Sequence, residues 1–142
     1  MKTEVLSNSC RNRAAYPLGD LKQEIMRVNN RVNQSLFGNG LRWQKVDIVG
    51  HKIVILAENM RAKPLAAIDG KDRLASRLAD IALLNEYKSR LRREIQGSLG
   101  IAVRSILKDY DPDCEMAGTI IVTEERLDGL EPDANGGPDR GS

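Results

Sequence analysis

The 142-residue sequence predicts a single α+β domain in the element order α-β-β-α-β-β, with two helices packed on one face of a four-stranded, mainly antiparallel sheet. Three observations carry that prediction. Two long segments place apolar residues at spacings of 3 and 4, two pairs of short segments are rich in β-branched residues, and a glycine lies between or beside each. The length is that of one domain, and 41% apolar with 30% charged residues is an ordinary globular balance.

Residues 1–16 are polar and read as a flexible arm, without the apolar stretch of a secretory signal. The ordered domain is expected over 17–124. Its first helix follows Pro17 and carries Leu21, Ile25, Val28, Val32 and Leu36 on one stripe. Asp20 with Gln23 three residues on has the pattern of a capping box, and Gly38-Asn39-Gly40 supplies a stop. In Leu41–Val49, Val46 and Ile48 share a face opposite Lys45 and Asp47. His51–Glu58 contains the run Ile53-Val54-Ile55-Leu56, which predicts a strand buried on both faces, and Gly50 suits the turn between the two strands.

Residues 59–70 read as a connection punctuated by Pro64 and Asp69-Gly70. A long helix is then expected from about Lys71 to Ser98, burying Leu74, Leu78, Ile81, Leu84, Tyr87, Leu91 and Ile95 as one stripe. A strand at Ile101–Lys108 sets Ile101, Val103 and Ser105 against Ala102, Arg104 and Ile106. A polar connector, Asp109–Glu115, leads to the β-branched run Gly118–Thr123. Residues 125–142 read as a disordered acidic tail. From Glu124 onward six acids meet two arginines.

No assembled chemistry is legible, so the chain reads as a non-enzyme needing no cofactor or metal. The carboxylates of Asp109, Asp111, Asp113 and Glu115 imitate the start of a calcium loop. Cys114 stands where the loop needs glycine and Ile120 where it needs glutamate, so the segment reads as a solvated turn. His51 is the only histidine, and two distant cysteines, Cys10 and Cys114, complete neither a zinc site nor a disulfide framework. Two thiols without a framework fit a reducing, cytoplasmic compartment. The apolar run Ile53–Ala57 is far shorter than a membrane span, so membrane contact is expected only through a partner.

Two candidate contact regions remain. Lys88, Arg90, Arg92 and Arg93 concentrate charge on the long helix, where Lys71–Gln96 carries seven basic residues against four acids. Such density suits phosphates, and it supports an alternative reading as an RNA- or DNA-binding module. Glu86 to Arg90 is equally an ordinary intrahelical pair, and aromatics that stack on bases are scarce. Trp43, with Phe37 across the first turn, is a candidate anchor for a protein partner. A four-stranded sheet with an uncovered face and two edges also invites a homodimer.

The element order and several landmarks resemble a family of small soluble subunits associated with a sodium-translocating, membrane-potential-generating system. The resembling residues run from about Leu18 to Glu124. They comprise the helix ending in Gly38-Asn39-Gly40, the strands through Ile53-Val54-Ile55-Leu56, the Arg-bearing helix ending in Leu99-Gly100, the acidic connector, and Ala117–Val122. Leu41 stands where that family usually has proline, and Met60–Leu65 lacks its Leu-Thr-Pro segment, so no functional residue carries over. The resemblance implies an accessory component of an ion- or inorganic-carbon-transport assembly, with a membrane-associated transporter as partner.

Overall fold

The structure, a computed structural model, describes residues 17–129, and the expected arm at 1–16 lies outside them. Helix α1 spans Leu18–Phe37, strand β1 Leu41–Val49, strand β2 Lys52–Asn59, helix α2 Lys63–Ile68 and helix α3 Arg73–Leu99. Strands β3, Val103–Asp111, and β4, Met116–Thr123, follow. The four strands form one antiparallel sheet in the order β1-β2-β4-β3. Helices α1 and α3 pack on one face of it, as the alternation of apolar residues predicts.

Helix α1 begins at Leu18, two residues before the expected cap. Asp20 sits in its first turn, where a negative charge favours the helix dipole, and no side chain caps the end. The helix stops at Gly38, whose φ of 77° is the left-handed conformation that costs glycine little. The core joins Leu21, Ile25, Val28 and Val32 of α1 to Tyr87, Leu91, Ile95 and Leu99 of α3. Val46, Ile48, Ile53, Ile55, Ile106 and Ile121 complete it from the sheet. A short chain of amides crosses this core. Tyr87 donates to Asn29, Asn33 Nδ2 donates to Asn29 Oδ1 at 3.1 Å, and Asn59 Nδ2 donates to Asn33 Oδ1 at 2.8 Å.

Four sequence expectations need correction. Strand β2 is not buried on both faces: Ile53, Ile55 and Ala57 are buried, but Leu56 is 43% exposed on the uncovered side. The connection at 59–70 contains α2, opened by Ala62 and with Pro64 in its first turn, where a missing N–H is harmless. Helix α3 starts at Arg73, because the Asp72 carboxylate accepts from Ala75 N at 3.0 Å and caps it. In β3 the pairing slips between Val103 and Ser105, so Val103 and Ile106 face the core together although they stand three positions apart. That slip turns Lys108 and Tyr110 inward, and pairing with β4 continues to Asp111.

Ordered contacts also run past Glu124, where the sequence reading ends the domain. Leu127 packs against the core, and Asp128 Oδ2 accepts from Gly50 N at 2.8 Å, so this segment closes over the β1–β2 turn. Residues 130–142 lie outside the described ones.

Candidate functional site

Three features of this fold offer surfaces for recognition. The first is the open face of the sheet. Alternation sends Trp43, Lys45, Asp47 and Val49 of β1, Lys52, Val54, Leu56 and Glu58 of β2, Met116, Gly118, Ile120 and Val122 of β4, and Ser105, Leu107, Asp109 and Asp111 of β3 to that side. Leu107 is 56% exposed, and Leu56, Val49 and Ile120 are exposed on the same face. The register aligns them in rows. One row reads Lys45, Leu56, Gly118, Asp109 and the next Asp47, Val54, Ile120, Leu107. A groove of about 580 Å³ runs along these rows. Above Gly118 the space is open, with nothing within 4 Å of where a Cβ would stand.

The second feature is the N-terminal half of α3. Only Tyr87, Leu91 and Ile95 of the expected seven-residue stripe are buried. Leu74, Leu78 and Ile81 are 68%, 58% and 56% exposed, which corrects the single continuous stripe. They follow one another at spacings of 4 and 3 and therefore share a helix face. Arg73 and Arg77 flank that face and are exposed too.

The third is a crevice of about 530 Å³ where α3 diverges from the sheet. Phe37, Leu65, Ile81, Leu83 and Leu84 give it apolar walls, and Asn59, Arg61, Asp80, Lys108 and Tyr110 give it polar ones. Arg61 braces its outer end. The guanidinium, nearly buried, pairs with Asp69 at 2.7 Å and with Asp80, and donates to Ser76 Oγ at 3.0 Å. This pairing holds the Asp69 carboxyl down to about 2 and raises Arg61 further above its usual range. Arg61 also lies 5.8 Å from the Tyr110 ring centroid, and the Tyr110 hydroxyl donates to Asn59 O at 2.8 Å. Burial pushes Tyr110 up to about 12.

Lys108 enters the crevice from β3. Its ammonium sits 3.3 Å from the Tyr87 ring centroid and 5.9 Å from that of Phe37, in cation–π contact. Among the described residues no carboxylate pairs with it, and burial pulls its amine down to about 7.

The residues singled out in the sequence are distributed differently. Trp43 lies on the open sheet face, partly exposed at the rim, opposite Glu58. At 3.6 residues per turn, Lys88 and Arg92 fall on one flank of the buried stripe of α3, and Arg90 and Arg93 on the other. Arg92 donates to Val103 O at 2.8 Å, whereas Arg90 pairs with Glu86 at 2.9 Å and donates to Ser35 Oγ. The four do not converge. The acidic connector disperses as well: Asp109 and Asp111 face the open side, Asp111 Oδ1 accepts from Asp113 N at 3.0 Å, and Glu115 accepts from Arg61 N and Arg42. Glu115 holds a φ of 55°, and its bonds to two arginines fix that turn.

Arg61, Lys108 and Asn59 escaped the sequence reading. The one signal for Lys108 was its place two residues beyond Ile106 and two before Tyr110, an inward position once the slip in β3 is allowed. No family model, curated protein or solved structure matches the chain. Among the described residues no helix is long and apolar enough to cross a membrane.

Proposed function

We propose that the chain is a non-enzymatic accessory protein whose work is recognition of other protein surfaces. It pairs with a second copy through the open sheet face and offers the N-terminal half of α3 to a partner protein. The observation that carries the reading is the row Lys45, Leu56, Gly118, Asp109. A two-fold axis parallel to the strands lays β1 of one copy over β3 of the other. Lys45 then meets Asp109, and Leu56 enters the space above Gly118, twice over. Such self-complementarity is what a two-fold interface demands, and sheets stack face to face with strands roughly aligned.

The helix stripe supports the second half of the reading. Leu74, Leu78 and Ile81 are spaced to receive the apolar face of a partner helix. The exposed Arg73 and Arg77 call for acidic residues on that partner. The resemblance to subunits of a sodium-translocating system makes a membrane transport assembly, ion or inorganic carbon, the partner to try first, from the cytoplasmic side. Nucleic-acid binding is less well supported, because Arg90 and Arg92 are engaged within the fold and the four basic residues divide between two flanks.

A photo-crosslinking residue at position 78, compared with one at position 93, tests the reading in cells. Capture of one membrane-associated protein from position 78, abolished by Leu74→Lys, is expected. Capture of nucleic acid from position 93 with nothing from position 78 would contradict it.

A further inference from the structure

We propose that the crevice between α3 and the sheet is a binding site for a small amphipathic carboxylate, with Lys108 receiving the acid group and the leucine-lined walls receiving the hydrocarbon.

Two features of the crevice lead there, and a third is compatible with it. The first is size: about 530 Å³ falls within the range of pockets that hold small molecules. The second is the uncompensated cation. A lysine pointed into the apolar side of a sheet is ordinarily matched by a carboxylate, because an unpaired buried charge is costly. The carboxylates at this end are engaged otherwise: Asp80 and Asp69 with Arg61, and Glu115 with Arg61 N and Arg42, while Asp109 borders the crevice from a position that alternates to the open face of the sheet. Lys108 has only the faces of Tyr87 and Phe37, which attract a cation without neutralising it. An anionic ligand would supply the missing charge.

The third feature is a polar atom without a partner. Asn59 lines the crevice and is nearly fully buried, yet its Oδ1 accepts no hydrogen bond. Buried acceptors are almost always satisfied, so this orphan calls for a donor, which a carboxylate cannot itself supply and an accompanying water can. The remaining wall, from Phe37, Leu65, Leu83 and Leu84, gives no polar partner and suits an alkyl chain. Arg77 lies on the α3 side of the same crevice and Arg61 at its outer end, so the approach favours an anion.

The charge state of Lys108 gives the site a signature that packing alone would not produce. The titratable and charged groups around it are Tyr87, Asp80 and Arg77 from α3, Arg61 from the segment after β2, and Asp109 and Tyr110 from β3. Asp80 and Arg61 are paired with each other, and the tyrosines stay neutral near pH 7. With its amine at about 7, Lys108 is half-neutral there in the free protein. Carboxylate binding draws a proton onto it, so affinity falls as pH rises above 7.

Calorimetric titration of the full chain with decanoate, with decanol as the uncharged counterpart, tests the site. Decanoate is expected to bind one to one, at least about tenfold more tightly than decanol, and at least about tenfold more weakly at pH 9 than at pH 6. At pH 8 the heat should vary with buffer ionisation enthalpy, reporting proton uptake. Lys108→Met, which keeps the stem over Tyr87, should abolish the preference for decanoate and the pH dependence. Should that variant fail to fold, Ile81→Glu places a carboxylate at the exposed rim and should weaken decanoate several-fold. Equal binding of decanoate and decanol, unchanged decanoate binding in either folded variant, or no saturable binding to the wild-type protein would overturn the proposal.

Discussion

Lys108 is the residue at which the fold works against its own stability. Its amine titrates at about 7 in the folded chain against 10.5 when unfolded, so the unfolded state binds more protons between those values. Stability therefore rises from pH 7 to about 10.5 and is lowest, as far as this group is concerned, below pH 7. Lys108→Met should raise the melting temperature at pH 6, by roughly 1–3 kcal/mol of stability, with the gain shrinking toward pH 10. Thermal melts of both proteins across that range check it. A constant difference at every pH would place the effect in packing and not in charge. Arg61 shows the opposite arrangement, a nearly buried cation with two carboxylates, Asp69 and Asp80, gathered from α2's end and from α3. Neither residue announced itself in the sequence. Arg61 and its acids lie 8 and 19 positions apart, spacings that no local rule joins, whereas Asp72, which caps α3 within its own turn, obeys a rule of three residues.

The long helix shows how far a pattern can be trusted. Leu74 through Ile95 keep helical spacing without interruption, and that spacing correctly marks a helix with one apolar side. It carries no information on how much of that side the sheet can cover. A 27-residue helix is about 40 Å long, and a nine-residue strand about 30 Å. The helix overhangs, and the stripe divides into a buried half and a presented one. Ile95→Ala should cost about 2–5 kcal/mol because it opens a cavity in the core. Leu78→Ala, from the same stripe, should change stability by less than about 0.5 kcal/mol. Urea denaturation of the two variants separates them. Strand β3 carries the complementary lesson. A one-residue slip after Val103 exchanges the faces of everything downstream, and alternation read without it points Lys108 to solvent. The pairing of β1 with β2 through a short turn, with Gly50 at a φ of 61°, was legible, whereas the continuous apolar run of β2 hid the alternation that exposes Leu56.

At the scale of the whole molecule, the α+β layering follows from elementary bookkeeping of faces: two amphipathic helices can cover only one side of four strands. What the uncovered side holds was not legible, because rows across a sheet join residues that lie about 60 positions apart in the chain, as Leu56 and Gly118 do. Once aligned, those rows form a surface with lysine at one edge, aspartate at the other and an unfilled glycine position beside a leucine. Helix α3 adds a presented stripe that a two-fold pairing of sheets would duplicate, giving a partner two points of attachment.

Sedimentation equilibrium of the wild-type chain and of Gly118→Val reads whether the open sheet faces pair. The added side chain meets open space within one copy and suits a strand, so the variant should fold, yet it occupies the space that Leu56 of a second copy requires. The wild-type protein should sediment as a dimer at micromolar concentration and Gly118→Val as a monomer, with Lys45→Asp weakening the dimer and the added Asp109→Lys restoring it. A strictly monomeric wild-type chain, or a dimer indifferent to all three substitutions, would rule out pairing through this face.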